Sequence, residues 1–434
     1  MRTMKDSGVE WLGEIPEDWQ VKRLDAIFLN QNSRNKVLGV DSYLSLMANV
    51  GVIPYAEKGA VGNRAPIEFD KCKLVSQGDF VLNTMNFGIG SFGVSAYDGM
   101  VSPVYFVLRP LRAKETLRYY RHLFNTTGFR LFSQMLGSGI LEHRAAIPWD
   151  EFKTIGLPVP CDEEQAAIAS YLDQETSRID TLISKKEQLI EKLLERRQAL
   201  ITQVVTKGLD PNVPMKDSGV EWLGEVPKGW TTKPIWSISK AFAGGTPESS
   251  NPEYWDDAEG TPWIAIGDMS DVTRVLSTSK AVSMLGRTIK RLPFGEPGDV
   301  LFAMYASVGA TAILGIRATW NQAILGLRID SRLADEKFVF FLLKGISDVW
   351  NLLSNSNTQS NLNQHSVMHL RISLPGKSEQ AKIAAYLDQE TSQMDTLVEK
   401  TRRAIELLKE RRQALITQVV TGKIDVRGFA GGNS

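Results

Sequence analysis

The sequence predicts an α+β chain: two mixed α/β domains in tandem, separated by two long, antiparallel, coiled-coil-like spacer helices, with an internal pseudo-twofold relating the halves. Three observations carry that expectation. The segment MKDSGVEWLGEIPEDW at 4–19 recurs as MKDSGVEWLGEVPKGW at 215–230, differing only at Ile15/Val226, Glu17/Lys228 and Asp18/Gly229. A longer segment at 163–210 returns at 378–425. Between these shared parts stand two unlike blocks, roughly 20–160 and 231–375. A period this long marks a duplicated architecture, since solenoid units repeat every 20–50 residues or so.

Each long shared segment reads as one helix. Apolar residues recur at steps of three and four at Ile168, Leu172, Ile179, Ile183, Ile190, Leu193, Leu200 and Val204, with charges between them. The second copy offers Ile383, Leu387, Met394, Val398, Ile405, Leu408, Leu415 and Val419. No Pro or Gly interrupts 163–207 or 378–421, while Pro158 and Pro160, and Pro375 and Gly376, stand just before. At 1.5 Å per residue each helix runs about 60–68 Å. Such a stripe must be buried, against its own block or against the other copy. Near-identity favours the helix pair, and antiparallel pairing generates the pseudo-twofold because each helix then meets the same surface on the other.

The blocks mix strand and helix signals. Gly78–Met85 and Val104–Leu111 are strand-like in the first and Leu117 opens a helix-like run, while the second has GDVLFAMYASVGATAILG from Gly298 and a helix-like run from Glu336. Shared Gly-Asp pairs, with Met85/Met304 and Gly90/Gly309, suggest one fold with diverged loops. The resulting organisation is a first domain with its tag at 1–160, a helix at 161–209, a second tag and domain at 210–375, a second helix at 376–424 and a flexible tail at 425–434.

Composition bounds the function. At 434 residues the chain is too long for one ordinary core, and 43% hydrophobic with 23% charged residues is a globular balance. No apolar stretch approaches the roughly 20 residues that span a bilayer, and the start lacks an apolar signal core, so a soluble, cytoplasmic protein with no membrane partner is expected. Cys72 and Cys161 are too few for a disulfide framework. Lys plus Arg and Asp plus Glu are 50 each. Residues 17–160 carry 16 basic against 13 acidic side chains, net +3, and 228–375 carry 14 against 13, net +1. Any phosphate contact must therefore come from local basic clusters.

Motifs for catalysis are missing. There is no [DN]PP[FYW] loop and no Gly-rich cofactor turn; PGKS at Pro375 lacks the upstream glycine of a phosphate loop, position 371 being Arg. His365 and His369 have i, i+4 spacing without the Glu of a zinc protease, which reads as a coincidental pair. DEFK at Asp150–Lys153 has the order of nuclease carboxylates before a lysine, but the second block has HLRI at the equivalent place.

DSGVEWLGEIP, GDVLFAMYASVG, NQAILGL, EQAAIASYLDQET and RRQALITQVVTKG, set in this tandem order across the whole chain, resemble the specificity subunit of Type I restriction-modification enzymes. The resemblance implies that the blocks are target-recognition domains, each reading one half of a bipartite, asymmetric site in double-stranded DNA. It implies that Glu163–Thr206 and Ser378–Thr421 are spacer helices that dock two methyltransferase subunits, with restriction/translocase subunits added in the full enzyme. This chain is then not an enzyme and holds no cofactor or metal; S-adenosylmethionine, ATP and Mg are expected on the partners. An insertion between Thr206 and Met215 is expected to lengthen the unread gap.

Base reading in the major groove needs forked donors or paired donor and acceptor groups. In the first block Asn32, Arg34, Arg64, Asn86, Ser138 and Arg144 fit; in the second, Thr246, Ser249, Tyr305, Thr358, Gln359, Ser360 and Asn361 do. Each also reads as an ordinary turn residue. Duplication and helices alone would equally permit a coiled-coil scaffold whose globular domains bind proteins.

Overall fold

The computed structural model describes residues 2–429 except 37–38, 41, 49, 60–63, 67, 86, 88–89, 112–114, 138–145, 271 and 356–361. The chain forms two compact units, Met1–Lys186 with Arg403–Ser434 (unit 1) and Glu187–Arg402 (unit 2). Each unit thus holds one block and part of both long helices.

Unit 1 opens with the repeated tag, a hairpin of β1 (Met4–Asp6) and β2 (Glu14–Pro16) pairing Met4 with Pro16. Its turn begins where the Asp6 carboxylate accepts the Gly8 N–H at 2.9 Å and Gly8 takes φ 68°, a backbone that favours glycine. β3 (Gln20–Arg23) pairs antiparallel with β12 (Gly156–Val159), so the block is sewn shut just before its long helix. Between them runs an antiparallel sheet in the order β4 (Phe28–Asn30), β11 (Tyr105–Pro110), β8 (Phe80–Asn83), β9 (Phe92–Val94). A second lobe pairs β5 (Leu44–Met47) with β6 (Gly51–Pro54), and β7 (Lys73–Val75) with β10 (Gly99–Val101). Helices α1 (Glu115–Phe124), α2 (Thr127–Met135) and α3 (Trp149–Phe152) complete the block. All of β8 is buried, and the core is strongly aromatic: Phe124 stacks on Phe129 at 4.7 Å and meets Phe80 edge-on at 4.9 Å.

Unit 2 repeats the frame. β13 (Met215–Asp217) pairs with β14 (Glu225–Pro227), and β15 (Thr231–Pro234) with β24 (Arg371–Leu374). The main sheet is β16 (Ser239–Ala243), β23 (Ile324–Ile329), β20 (Val300–Ala303), β21 (Thr311–Leu314), extended by β18 (Arg274–Val275), which lies parallel to β21. The second lobe differs: β17 (Thr261–Ile264) lies between β19 (Lys280–Val282) and β22 (Thr319–Trp320). Helices α5 (Met284–Ile289), α6 (Glu336–Gly345), α7 (Ser347–Asn355) and α8 (Gln364–His369) follow the chain order. One buried clamp is common to both units. Asp79 accepts two bonds from Arg109 (2.8 and 2.7 Å) and one from the Ser76 N–H; Asp299 does the same with Arg328 (3.0 and 2.7 Å) and Glu296. This fixes the shared Gly-Asp turn, with Gly78 and Gly298 at φ 90° and 99°.

The long helices are α4 (Asp162–Lys207, 46 residues) and α9 (Lys377–Val420, 44 residues), about 69 and 66 Å at 1.5 Å per residue. Within unit 1 they run antiparallel: Asp180 accepts from Arg412 at 2.9 Å, while Tyr171, nearer the start of α4, meets Phe429 at 4.7 Å. Unit 2 repeats the ion pair with the partners exchanged, Arg197 to Asp395 at 3.0 Å. The stripe divides by position. Ile168 and Leu172 of α4 and Val419 of α9 join the unit 1 core, and Val204, Ile383 and Leu387 join that of unit 2. Ile179, Val398 and Ile405 are buried; Ile183, Ile190, Leu193, Leu200, Met394, Leu408 and Leu415 are half-buried. Packing on a block and pairing of helices therefore hold over different stretches of the same helix. Among the described residues no helix is long and apolar enough to cross a membrane.

The tags close the helix ends. In unit 1 Trp19 Nε1 donates to the buried Glu164 at 2.8 Å, and Pro16 and Trp19 crowd Gly422 after α9. In unit 2 Trp230 Nε1 donates to Glu379 at 3.1 Å, and Trp230 crowds Gly208 after α4. Trp11 lies edge-on to Phe129 at 5.2 Å and Trp222 packs on the unit 2 core, so the tag tryptophans are structural.

Candidate nucleic-acid interface

In unit 2 two of the polar positions singled out from sequence, Thr246 and Tyr305, stand at one end of the main sheet. Thr246, in the loop after β16, donates its hydroxyl to Gln322. The next residue, Ala323, accepts the Met304 N–H through its carbonyl at 2.8 Å, at the end of β20. Met304 precedes Tyr305, and its own carbonyl accepts the Leu362 N–H at 3.1 Å. Leu362 directly follows Asn361; Thr358, Gln359, Ser360 and Asn361 themselves lie outside the described residues. Ser249 is exposed farther along the same loop. Tyr305 is half-buried against the core and leads into Ala306, whose φ of 62° turns the chain sharply. Gln322 was not among the sequence candidates. Its only signal was its place in NQAILGL, and its forked amide is the group that reads adenine.

In unit 1 Asn32 and Arg34 stand at the equivalent end of the sheet, and Arg64 in the second lobe. The loop after β4 follows the start of β11, the Gln31 N–H donating to Val107 at 2.7 Å. Exposed Asn32 and Arg34 follow, the Arg34 backbone forming an isolated antiparallel β-bridge with that of Lys73. Lys73 is buried, donates to the Tyr105 carbonyl at 2.7 Å, and is pushed below the ordinary lysine value by burial and then by the Arg34 charge. Exposed Arg64 stands beside Ala65, whose N–H donates to the Tyr55 hydroxyl at 3.0 Å; Tyr55 packs on Tyr43 at 5.4 Å, and Tyr43 on Phe69 at 5.9 Å. Phe69 in turn precedes Lys71 and Lys73. Tyr43, Tyr55 and Phe69 thus form one aromatic cluster in the second lobe, with the Lys58 ammonium 4.8 Å from the Tyr55 ring and exposed Arg64 next in sequence to the residue bonded to Tyr55. Asn86, Ser138 and Arg144 lie outside the described residues.

The motifs set aside from sequence are ordinary surface features. Asp150 pairs with Lys153 on α3. His365 and His369 stack at 3.8 Å, and His369 Nδ1 lies 3.0 Å from the His365 carbonyl. Among the described residues no three His, Cys, Asp or Glu side chains gather as metal ligands.

The family model of the Type I restriction modification DNA specificity domain matches twice, at residues 16–192 and 227–407. The chain is 23% identical to the putative type I restriction enzyme MjaX specificity subunit of Methanocaldococcus jannaschii, over 96% of each protein. It is 24% identical over 211 residues to the type I restriction enzyme EcoBI specificity subunit of Escherichia coli, covering 48% of this chain and 42% of that one. Among solved structures, the fold matches a chain from work on complex assembly and conformational transition of the type I R-M system with a TM-score of 0.74 at 18% identity, over 94% of this chain and 99% of that one. It matches the HsdS subunit from Thermoanaerobacter tengcongensis with a TM-score of 0.56 at 18% identity, over 94% and 98%. The chain belongs to the type I restriction-modification DNA specificity family, carrying that domain twice in the tandem form of a specificity subunit.

Proposed function

We propose that the two blocks read the two halves of a bipartite, asymmetric site in double-stranded DNA and that the repeated frame carries the partner subunits. The observation that carries this reading is the pairing of a repeated frame with unrepeated loops. Sheet order, Asp clamp, tag and helices recur, whereas the polar residues of those loops do not: Asn32, Arg34 and Arg64 in one unit, Thr246, Ser249 and Gln322 in the other. Unlike readers on like frames recognise unlike half-sites. One methyltransferase subunit then docks per half and takes an adenine out of the stack for N6 methylation, because its target nitrogen is otherwise out of reach. S-adenosylmethionine, ATP and Mg belong to the methyltransferase and restriction/translocase partners; this chain contributes recognition alone. A protein-binding scaffold is not favoured, since the specificity-domain match spans both blocks as well as much of both helices.

Gel-shift binding to duplex DNA, with and without the co-expressed methyltransferase subunit, tests the reading. Specific retardation of one duplex class with the partner present is expected. Absence of any DNA binding in the presence of that partner would return the scaffold.

A further inference from the structure

A net charge of +1 over 228–375 leaves unexplained how the second block would hold a polyanion, yet MLGRTIKRLPF at 284–294 carries three cations and no acid. The structure places this run beside the reading loop. Gly286 of α5 sits so close to the Tyr254 carbonyl that a Cβ there would lie 2.5 Å from its oxygen, and Ser283 donates to the Glu253 carbonyl at 2.6 Å. These residues directly follow Thr246–Asn251. Leu292 reaches back to Gly245, at the start of the same loop.

The three cations are arranged rather than scattered. The Arg287 guanidinium sits over Phe294, 4.2 Å from the ring centroid, with Arg317 at 4.0 Å from the same ring, so it is held without using its donors. Lys290 is exposed at the end of α5. Arg291 adopts φ 49°, a left-handed backbone that L-residues rarely adopt and that glycine would take freely. None of the three side chains has a hydrogen-bonding or ion-pair partner among the described residues, although Arg317 beside Arg287 pairs with Glu296, and Arg274 and Arg328 pair with Glu336 and Asp299. The offset of 220 that aligns Gly78 with Gly298 aligns Lys71-Cys72 with Arg291-Leu292. In unit 1 the Cys72 carbonyl accepts the Asn35 N–H at 3.1 Å, joining the equivalent segment to the loop after the first sheet strand, but Lys71 is paired with Glu68 and Lys73 is buried on the Tyr105 carbonyl, so the segment lacks the unpaired cations of unit 2.

We infer that Arg287, Lys290 and Arg291 form a phosphate-holding arm that clamps the DNA backbone beside the loop Thr246–Asn251, positioning that loop without reading bases. The inference rests on the DNA-reading role proposed above. Phosphate is a point-charge ligand that both Arg and Lys accept, and it carries no sequence information.

The test measures binding of the chain, co-expressed with its methyltransferase subunit, to cognate and unrelated duplexes across a salt series. Neutralising R287Q/K290Q/R291Q is expected to weaken both duplexes by similar factors and to reduce the magnitude of the log K against log salt slope by about 0.9 per cation. R287K/R291K should restore the slope, which a merely structural role for the arginines would not allow. An unchanged slope in the neutralised variant overturns the arm, as does a change in the methylated half-site, which would make these residues base readers. Absence of DNA binding by the unsubstituted complex would instead remove the DNA-reading role, and the arm with it.

Discussion

Glu164 and Glu379 show how the same residue is set to unequal tasks by a duplicated frame. Each accepts an indole N–H, from Trp19 and Trp230, but Glu164 also holds Arg2, which bridges on to Asp18. The equivalent of Arg2 by the tag offset is Val213, in the covalent joint between α4 and its tag. Glu164→Ala takes one of two carboxylates from a nearly buried guanidinium as well as the indole's acceptor and should cost unit 1 about 3 kcal/mol, whereas Glu379→Ala should cost unit 2 about 1–2 kcal/mol. Hydrogen exchange resolved by unit measures both, and equal losses would contradict the asymmetry. Asp173 offers a pH signature in unit 1. Burial pushes its carboxyl up, but hydrogen bonds from His122 at 2.7 Å and Arg118 at 2.7 Å outweigh it and hold the group at about 2. A depressed carboxylate stabilises the fold above its unfolded value of about 3.9 and loses that contribution as pH falls toward the folded value. Unit 1 of the wild-type chain should therefore lose more melting temperature than Asp173→Asn between about pH 4 and 2; parallel acid limbs would refute the pairing. Single candidate readers were poorly legible at this scale. Thr246 was visible as a polar turn residue, but its partner Gln322 lies 76 positions away, and only the folded sheet brings the two together.

At the scale of elements, periodicity revealed the helices but not their two kinds of burial. A stripe of Ile, Leu and Val looks the same whether it faces a second helix or a domain core, since both are apolar and both obey 3.6-residue spacing. The structure assigns the ends to the cores: Ile416, Val419 and Val420 pack with Phe28 and Phe124 of the first block, and Tyr119 donates to the Val420 carbonyl at 2.9 Å. The first block is thus completed by the last long helix in sequence. Truncation after Arg402 should expose the unit 1 core to proteolysis while leaving unit 2 resistant; equal resistance of both would show that α9 contributes nothing to the first block. The joint expectation changes for the same reason. Residues 208–214 lie wholly within unit 2, with Gly208 packed against Trp230, so an insertion there disturbs one unit rather than a spacer. Matched seven-residue insertions in the half-buried stretches, after Ile190 in α4 and after Leu408 in α9, are the changes expected to lengthen the unread gap in a methylome. An unchanged gap with intact folding would show that helix length does not set it.

For the molecule as a whole, the tandem order of tag, block and helix was legible because duplication preserves words, and the fold class followed from it. The proposed reading surfaces were less legible because divergence there is what unlike half-sites would require: the second lobe is two separate two-stranded antiparallel pairs in one unit and a three-stranded mixed sheet in the other. A cationic arm in a block of almost no net charge shows the same limit, since composition averages over the faces that bind. The central claim is that two independent readers stand on one repeated frame. Exchange of residues 231–375 for the corresponding block of another family member, followed by single-molecule sequencing of methylated adenines in a host carrying the methyltransferase subunit, tests it most directly. The account predicts one half-site replaced, with the other half-site and the gap retained; replacement of both half-sites, or of neither in a folded and active complex, would contradict it.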